Sequence, residues 1–229
     1  QGKDDESEAY HKGQIALLTP LDKAYGTDAA FEVSSSAIQV HGGHGYLRDY
    51  PVEQYCRDSK IFQIYEGTNF IQSMDLVSRK LGQGGGANTQ AFLTDIQRFV
   101  DANRATPELA DAIKHLQGAH EAVAASVSQL VGWFKGGKLE HIPLAAEQFL
   151  TIMSELAVGW LLLDQASIAL RKLPETSETH PDHAFYTGKK FAALYFANNV
   201  LTTLPSRVQR LSAVDTLPVE IPDAAFATV

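Results

Sequence analysis

An acid held on a glycine turn just ahead of a helix is well placed to take a proton from a bound substrate. The segment Arg57–Thr68, RDSKIFQIYEGT, offers such an acid in Glu66. The turn would aim the carboxylate. Closing an apolar ligand over it would raise its pKa by removing water, while the positive end of the following helix would favour the charged form. Gly67 would let a ligand approach the backbone closely. Thr68 has the chemistry of a helix N-cap. A second group lies upstream in Gln39-Val40-His41-Gly42-Gly43-His44-Gly45-Tyr46, an amide followed by a glycine turn. Taken singly, Glu-Gly-Thr is more often a turn and a cap, and paired glycines are more often a helix stop.

Other chemistries find less support. His41 and His44 are three positions apart, as metal ligands can be, but no third ligand accompanies them, so no metal site is expected. Cys56 is the only cysteine, which excludes an intrachain disulfide and a cysteine-based metal cluster. It reads as a small packing residue. Arg57 and Asp58 read as structural charges, the remaining histidines as scattered surface or cap residues, and Lys189-Lys190 as too short a run to bind lipid headgroups.

The elements that must position Glu66 are helical, because almost every apolar pattern has helical spacing. Ala24, Phe31 and Ile38 share one face of a helix expected from about Pro20, which begins or kinks it, to His41. Gly42-Gly43 ends it. Pro51 opens a short helix to about Ile61, Phe62–Gly67 is expected to be extended, and Thr68 caps a helix to Leu81. Gly82-Gln83-Gly84-Gly85-Gly86 is the clearest boundary. Residues 1–81 are therefore expected as one part, 82–88 as a linker and 89–211 as a bundle. Its helices would cover about Thr89–Asn103, Thr106 to Gly136, Pro143–Lys172 and Pro181–Leu211. Phe149, Met153, Leu156, Trp160 and Leu163 form one stripe of the third, and Phe185, Leu194, Tyr195, Leu201 and Val208 are apolar positions of the fourth. Short connections imply antiparallel packing. Residues 212–229 are expected as an extended tail. The fold class is all-α.

Composition sets the limits. The chain has 229 residues, 45% of them hydrophobic, and a formal net charge of −8. That is enough for a substantial core, and the acidic balance weighs against a nucleic-acid partner. The longest apolar run, Ala157–Leu163, is too short to span a bilayer, so no transmembrane segment is expected. The polar, acidic start does not read as a targeting peptide, and the absence of an initial Met reads as a fragment or processed product. The single cysteine fits a reducing compartment, and a cytoplasmic location is expected.

The two motifs, in this order and separation, resemble the acyl-CoA dehydrogenases. The match runs from about Leu18 to Leu81, roughly a third of the chain. The resemblance implies FAD-dependent oxidation of an acyl-CoA thioester to its trans-2-enoyl form. Glu66 would be the base that removes the proton next to the thioester carbonyl while hydride leaves for the flavin. Its own N–H would help to hold the enolate oxygen, and Gly67 would lie against the acyl-CoA. Gln39, Gly42 and Gly43 match positions that hold the ADP part of FAD, usually that of a neighbouring subunit, and Thr68 matches a flavin-nucleotide contact. A homodimeric parent and an electron-transfer flavoprotein or similar acceptor follow from the same likeness. Two positions depart from the family pattern. Phe70 stands where a Gln is frequent, and Ser78 stands where smaller members carry Arg.

The bundle beyond Leu81 resembles, in size and helical pattern, the domain appended in larger members of the family. The chain therefore reads as a C-terminal helical domain followed by an additional antiparallel helical bundle, inactive and without FAD when alone. The alternatives are an acyl-CoA oxidase, a non-catalytic binding or scaffold protein on a dehydrogenase frame, or a helical interaction module whose bundle makes dimer contacts.

Overall fold

The computed structural model describes residues 2–226. Its regular structure among them is helical, without a strand, as the spacing of apolar residues implies. The chain divides into two compact units, Gln1–Thr89 and Gln90–Val229.

The first unit is built on α1, Gly2–His41. Helix α1 starts well before Pro20, which lies inside it. The amide that Pro20 cannot supply costs one backbone bond, and burial on both sides of it compensates. Leu17, Leu21 and Ala24 fall at helical spacing and are all buried. A tight turn, Gly42–Tyr46, follows, and then α2, Val52–Ser59. A further short turn, Lys60–Gln63, leads to α3, Asn69–Asp75, which widens into a π turn at Leu76–Lys80. The segment expected to be extended, 62–67, is a succession of turns instead. Ile64 and Tyr65 both donate backbone bonds to Ile61, so local pairing satisfies these amides without a strand partner. Both α2 and α3 lie against α1. In the tight turn Gln83–Gly86, Gly84, Gly85 and Gly86 all take positive φ.

The second unit holds most of α4, Ala87–Asn103, with α5, Ala110–Lys135, and α6, His141–Lys172. It continues with α7, Pro181–Asn199, and α8, Leu204–Ala213. Phe149, Met153, Leu156 and Leu163 of α6 are buried as their spacing implies. Trp160 is half-buried, edge-on to Phe92 of α4 with ring centres 6.1 Å apart. Lys189 of α7 donates to Gln165 of α6, while Phe185 and Ile168 line one hollow. Those pairings run in opposite directions along the two helices, so α6 and α7 are antiparallel.

Two expectations change here. The helix expected over Pro181–Leu211 breaks at Val200 (φ −110°, ψ −58°). Pro205 cannot donate to Leu201 and would clash with its carbonyl, so the chain restarts as α8 with Pro205 in the first turn. Of the apolar positions named on that helix, Phe185 and Tyr195 lie on the exposed side of α7. The tail is not extended throughout, because Leu217–Glu220 forms a short helix, α9, with Pro218 in its first turn; residues 227–229 lie outside the described residues. Helix α6 with the turn after it, His141–Glu175, is long and apolar enough to cross a membrane by length and composition. More than half of its most apolar window, 56%, is buried in the bundle, which is how a core helix satisfies the same test.

Candidate active site

Glu66 sits where the chain turns from α2 into α3, and its backbone is left-handed, with φ 53°. The next residue, Gly67, has φ 86°. For Glu66 that conformation costs about 1–2 kcal/mol, because its Cβ crowds the carbonyl that follows. The neighbouring contacts hold it there. Thr68 caps α3, its Oγ1 accepting from the Ile71 amide at 3.2 Å. A Cβ on Gly67 would stand 2.8 Å from Gln72 Nε2, so the amide of Gln72 fills the space that a side chain would take.

Asn69 secures this turn to α1. Its Nδ2 donates to Ala24 O at 3.2 Å, Thr27 Oγ1 at 3.0 Å and Asp28 Oδ1 at 2.7 Å. Its Oδ1 accepts from Lys23 Nζ at 2.7 Å and Thr27 Oγ1 at 3.2 Å. Gln63 Nε2 also donates to Asp28 Oδ1, at 2.8 Å. The turn bearing Glu66 is thus tied to α1 on both sides, by Gln63 before it and Asn69 after it. Sequence reasoning missed Asn69, Asp28 and Gln72. Lys23, Thr27 and Asp28 beside the buried Ala24 were the available signal, a polar patch on the flank of an apolar helix face.

The carboxylate of Glu66 is exposed, as are Gly67 and Thr68. Its neighbours along the chain include the exposed apolar side chains of Ile64, Tyr65, Phe70 and Ile71. The ring of Phe62 stacks on that of Tyr65 at 5.9 Å.

Gln39, Gly42 and Gly43 lie at the far end of α1, also exposed. Gly42, at φ 61°, ends the helix, and no atom lies within 4 Å of where a Cβ of Gly42 or Gly43 would stand. Gly45 differs. Its Cβ would fall 2.5 Å from the carbonyl oxygen of Ile38, so it is there to let the turn fold back on α1. Along α1, Gln39 is roughly 16 Å from Asp28, the residue that anchors the Glu66 turn. Within one chain the two candidate groups are therefore not brought together. Among the described residues no cluster of His, Cys, Asp or Glu is arranged to hold a metal ion.

Two family descriptions match the chain. Residues 6–81 match "Acyl-CoA dehydrogenase, C-terminal domain", and residues 92–222 match "Acetyl-CoA dehydrogenase C-terminal like". A butyryl-CoA dehydrogenase of Syntrophomonas wolfei is 32% identical over 222 residues, covering 97% of this chain and 36% of the relative. The broad-specificity linear acyl-CoA dehydrogenase FadE5 of Mycobacterium tuberculosis is 33% identical over 215 residues, covering 92% of this chain and 35% of the relative. The chain thus spans about a third of the length of these relatives. Its fold is similar to that of an acyl-CoA dehydrogenase from Bacillus anthracis solved with FAD, at a TM-score of 0.63 and 18% identity, over 90% of this chain and 34% of that one. Matched along both units, the chain belongs to the acyl-CoA dehydrogenase family and is a C-terminal portion of such a protein.

Proposed function

We propose that this chain supplies the base, and part of the FAD cradle, of an FAD-dependent acyl-CoA dehydrogenase that converts an acyl-CoA thioester to its trans-2-enoyl form. The observation that carries the reading is the left-handed Glu66, held at φ 53° on a turn tied to α1 by Asn69 and Gln63. A strained non-glycine residue at an exposed turn has a cost that folding alone does not require, and such strain concentrates at functional positions.

In this reading Glu66 takes the proton from the carbon next to the thioester carbonyl. That proton is weakly acidic, so the base needs fixed aim and a dry surrounding. The Asn69 network supplies the aim. The apolar side chains around the turn would line the contact with an acyl chain and exclude water when it binds. The Glu66 N–H would donate to the oxygen on which charge develops, and Gly67 would lie against the acyl-CoA. The chemistry that a bound FAD would supply is an acceptor for the hydride leaving the neighbouring carbon. Gln39, Gly42, Gly43 and Thr68 would hold the nucleotide. The open space over Gly42 and Gly43 fits that use, and their distance from Glu66 along α1 fits a flavin shared between two subunits. The isolated chain, on this reading, neither retains FAD nor turns over substrate. Electrons would pass on to an electron-transfer flavoprotein or similar acceptor.

The test is Glu66→Gln in the full-length parent. The variant is expected to keep its bound flavin and its visible flavin absorption and to lose bleaching by acyl-CoA. Bleaching at the wild-type rate would remove Glu66 from the reaction.

A further inference from the structure

Gln72 lies on α3, and its backbone N–H donates to Thr68 O at 3.0 Å. Helical side chains lean towards the N-terminus, and this one reaches back over the Glu66 turn. Its Nε2 stands 2.8 Å from where a Cβ of Gly67 would be, with Ile71 Cγ2 next at 3.9 Å. The space beside Gly67 is therefore held by a hydrogen-bonding group. That group has nothing to bond. Gln63 and Asn69, on either side of Glu66, are each engaged through both the nitrogen and the oxygen of their side-chain amides. Among the described residues neither Nε2 nor Oε1 of Gln72 has a hydrogen-bond partner. Gln72 is half-buried. A methionine would fill the same space with no amide to satisfy.

We infer that Gln72 is a substrate contact, its Nε2 donating to the carbonyl of the first amide in the CoA arm of an acyl-CoA. The inference rests on the acyl-CoA dehydrogenase reading of this turn. On that reading the thioester oxygen takes the Glu66 N–H, and the ligand lies against Gly67. A ligand on the side-chain side of Gly67 meets Gln72 first, because the Gln72 amide occupies that place. The two arms of the thioester differ in what they offer it. The acyl arm is hydrocarbon beyond the carbonyl. The CoA arm has a short methylene spacer after the sulfur and then an amide, whose carbonyl accepts and whose N–H donates. The open amide of the protein is matched by the nearest amide of the ligand, and the match tells the CoA arm from the acyl arm.

The contact has a kinetic signature. It lies away from the carbon that loses its proton, so it holds the ground state and the transition state alike. Such uniform binding lowers KM and leaves kcat unaltered. The Asn69 network differs, since it aims the base and acts on kcat. One neutral hydrogen bond at a half-buried site corresponds to about 3–10-fold in affinity.

The test is Gln72→Met in the full-length, flavin-loaded parent, with the shortest linear acyl-CoA that bleaches the wild type. Methionine keeps the length of the side chain over Gly67 and removes the amide, so melting should match wild type. KM is expected to rise about 3–10-fold, with kcat within about twofold of wild type. In a Glu66→Gln background, the Kd for the same acyl-CoA, read from the change it makes in the flavin spectrum, should rise by a similar factor. The S-propyl thioester of the same acid lacks the amide, and its Ki against turnover should be equal in Gln72→Met and wild type. Unchanged KM and Kd would overturn the inference and leave Gln72 only filling the space by Gly67. So would a loss in kcat in place of KM, or an equal loss on the S-propyl thioester, either of which would make Gln72 a positioning residue. Failure of the dehydrogenase reading shows separately, as bleaching of Glu66→Gln at the wild-type rate.

Discussion

Asn69 Nδ2 lies 2.7 Å from Asp28 Oδ1, and this bond joins the first residue of α3 to the middle of α1. The same amide also reaches the carbonyl of Ala24 and the hydroxyl of Thr27, so one side chain fixes where α3 starts and therefore where Glu66 points. Asn69→Ala is expected to remove these bonds and leave Lys23 and Asp28 without their shared partner. The cost should be about 1–3 kcal/mol in urea unfolding. In the full-length parent, kcat should fall more than substrate affinity, since the base remains but its aim loosens. Asn69→Asp should not restore the kcat, since it keeps the acceptor for Lys23 but sets a second carboxylate against Asp28. An Asn69→Ala parent with unchanged kcat would show that the turn holds its shape without this anchor.

The left-handed backbone at Glu66 leads to a trade between stability and activity. Glycine adopts φ 53° without the Cβ penalty. Glu66→Gly should therefore stabilise the chain by up to about 1 kcal/mol, after its extra unfolded-state entropy is subtracted. The same variant should abolish acyl-CoA-dependent bleaching in the parent. Gly67→Ala should do the reverse to stability, because φ 86° disfavours any side chain and its Cβ would meet Gln72 Nε2 at 2.8 Å. Paired melting curves of the two variants check this, and a destabilised Glu66→Gly would mean that the carboxylate itself supports the turn.

Most of what was legible in the sequence was periodic or chemical. The Phe149–Leu163 stripe declared α6, the Thr68 hydroxyl declared its cap, and Gly42 declared the end of α1, because each depends on a few adjacent residues. What escaped depends on partners far along the chain. The polar start of α1 gave no apolar face to read before Leu17, although the helix runs from Gly2. Phe185 and Tyr195 have core-like chemistry and core-like spacing, yet point outward, because Ala193 and Ala197 take the buried side of α7. Pattern alone does not say which of two apolar faces is covered. Asn69 was hidden for the same reason, since its partners lie in α1, 41 to 46 positions away.

Helix α6 and the segment after α7 approach one another closely at Gly159. A Cβ on Gly159 would stand 2.6 Å from Leu201 Cδ2. Leu201 is fully buried, so neither side has room to give. Gly159→Ala is expected to destabilise by about 1–3 kcal/mol through overpacking, despite its better helix propensity. Leu201→Ala alone should cost about 2–5 kcal/mol for the cavity it leaves. The double variant should cost less than the sum, because the new methyl enters that cavity. Full additivity in a double-mutant cycle would contradict the contact.

Glu155 of α6 pairs with Arg207 of α8, and the two do not offset one another completely. Burial pushes the Glu155 carboxyl above its ordinary value, while the charge of Arg207 and its hydrogen bond pull it back down. A carboxyl raised in the folded state favours folding when protonated. Its contribution is therefore fully present below the unfolded carboxylate value of about 4.3 and is lost as pH rises through the higher folded value. Arg207→Met should lift the folded value further, because the groups that lower it are gone and burial remains. Urea unfolding followed as pH rises from the ordinary carboxylate range towards neutrality should then show a steeper loss of stability in Arg207→Met than in wild type. Glu155→Gln, which cannot ionise, should flatten that part of the curve. Equal slopes in Arg207→Met and wild type would mean that Arg207 does not hold the charged carboxylate in place.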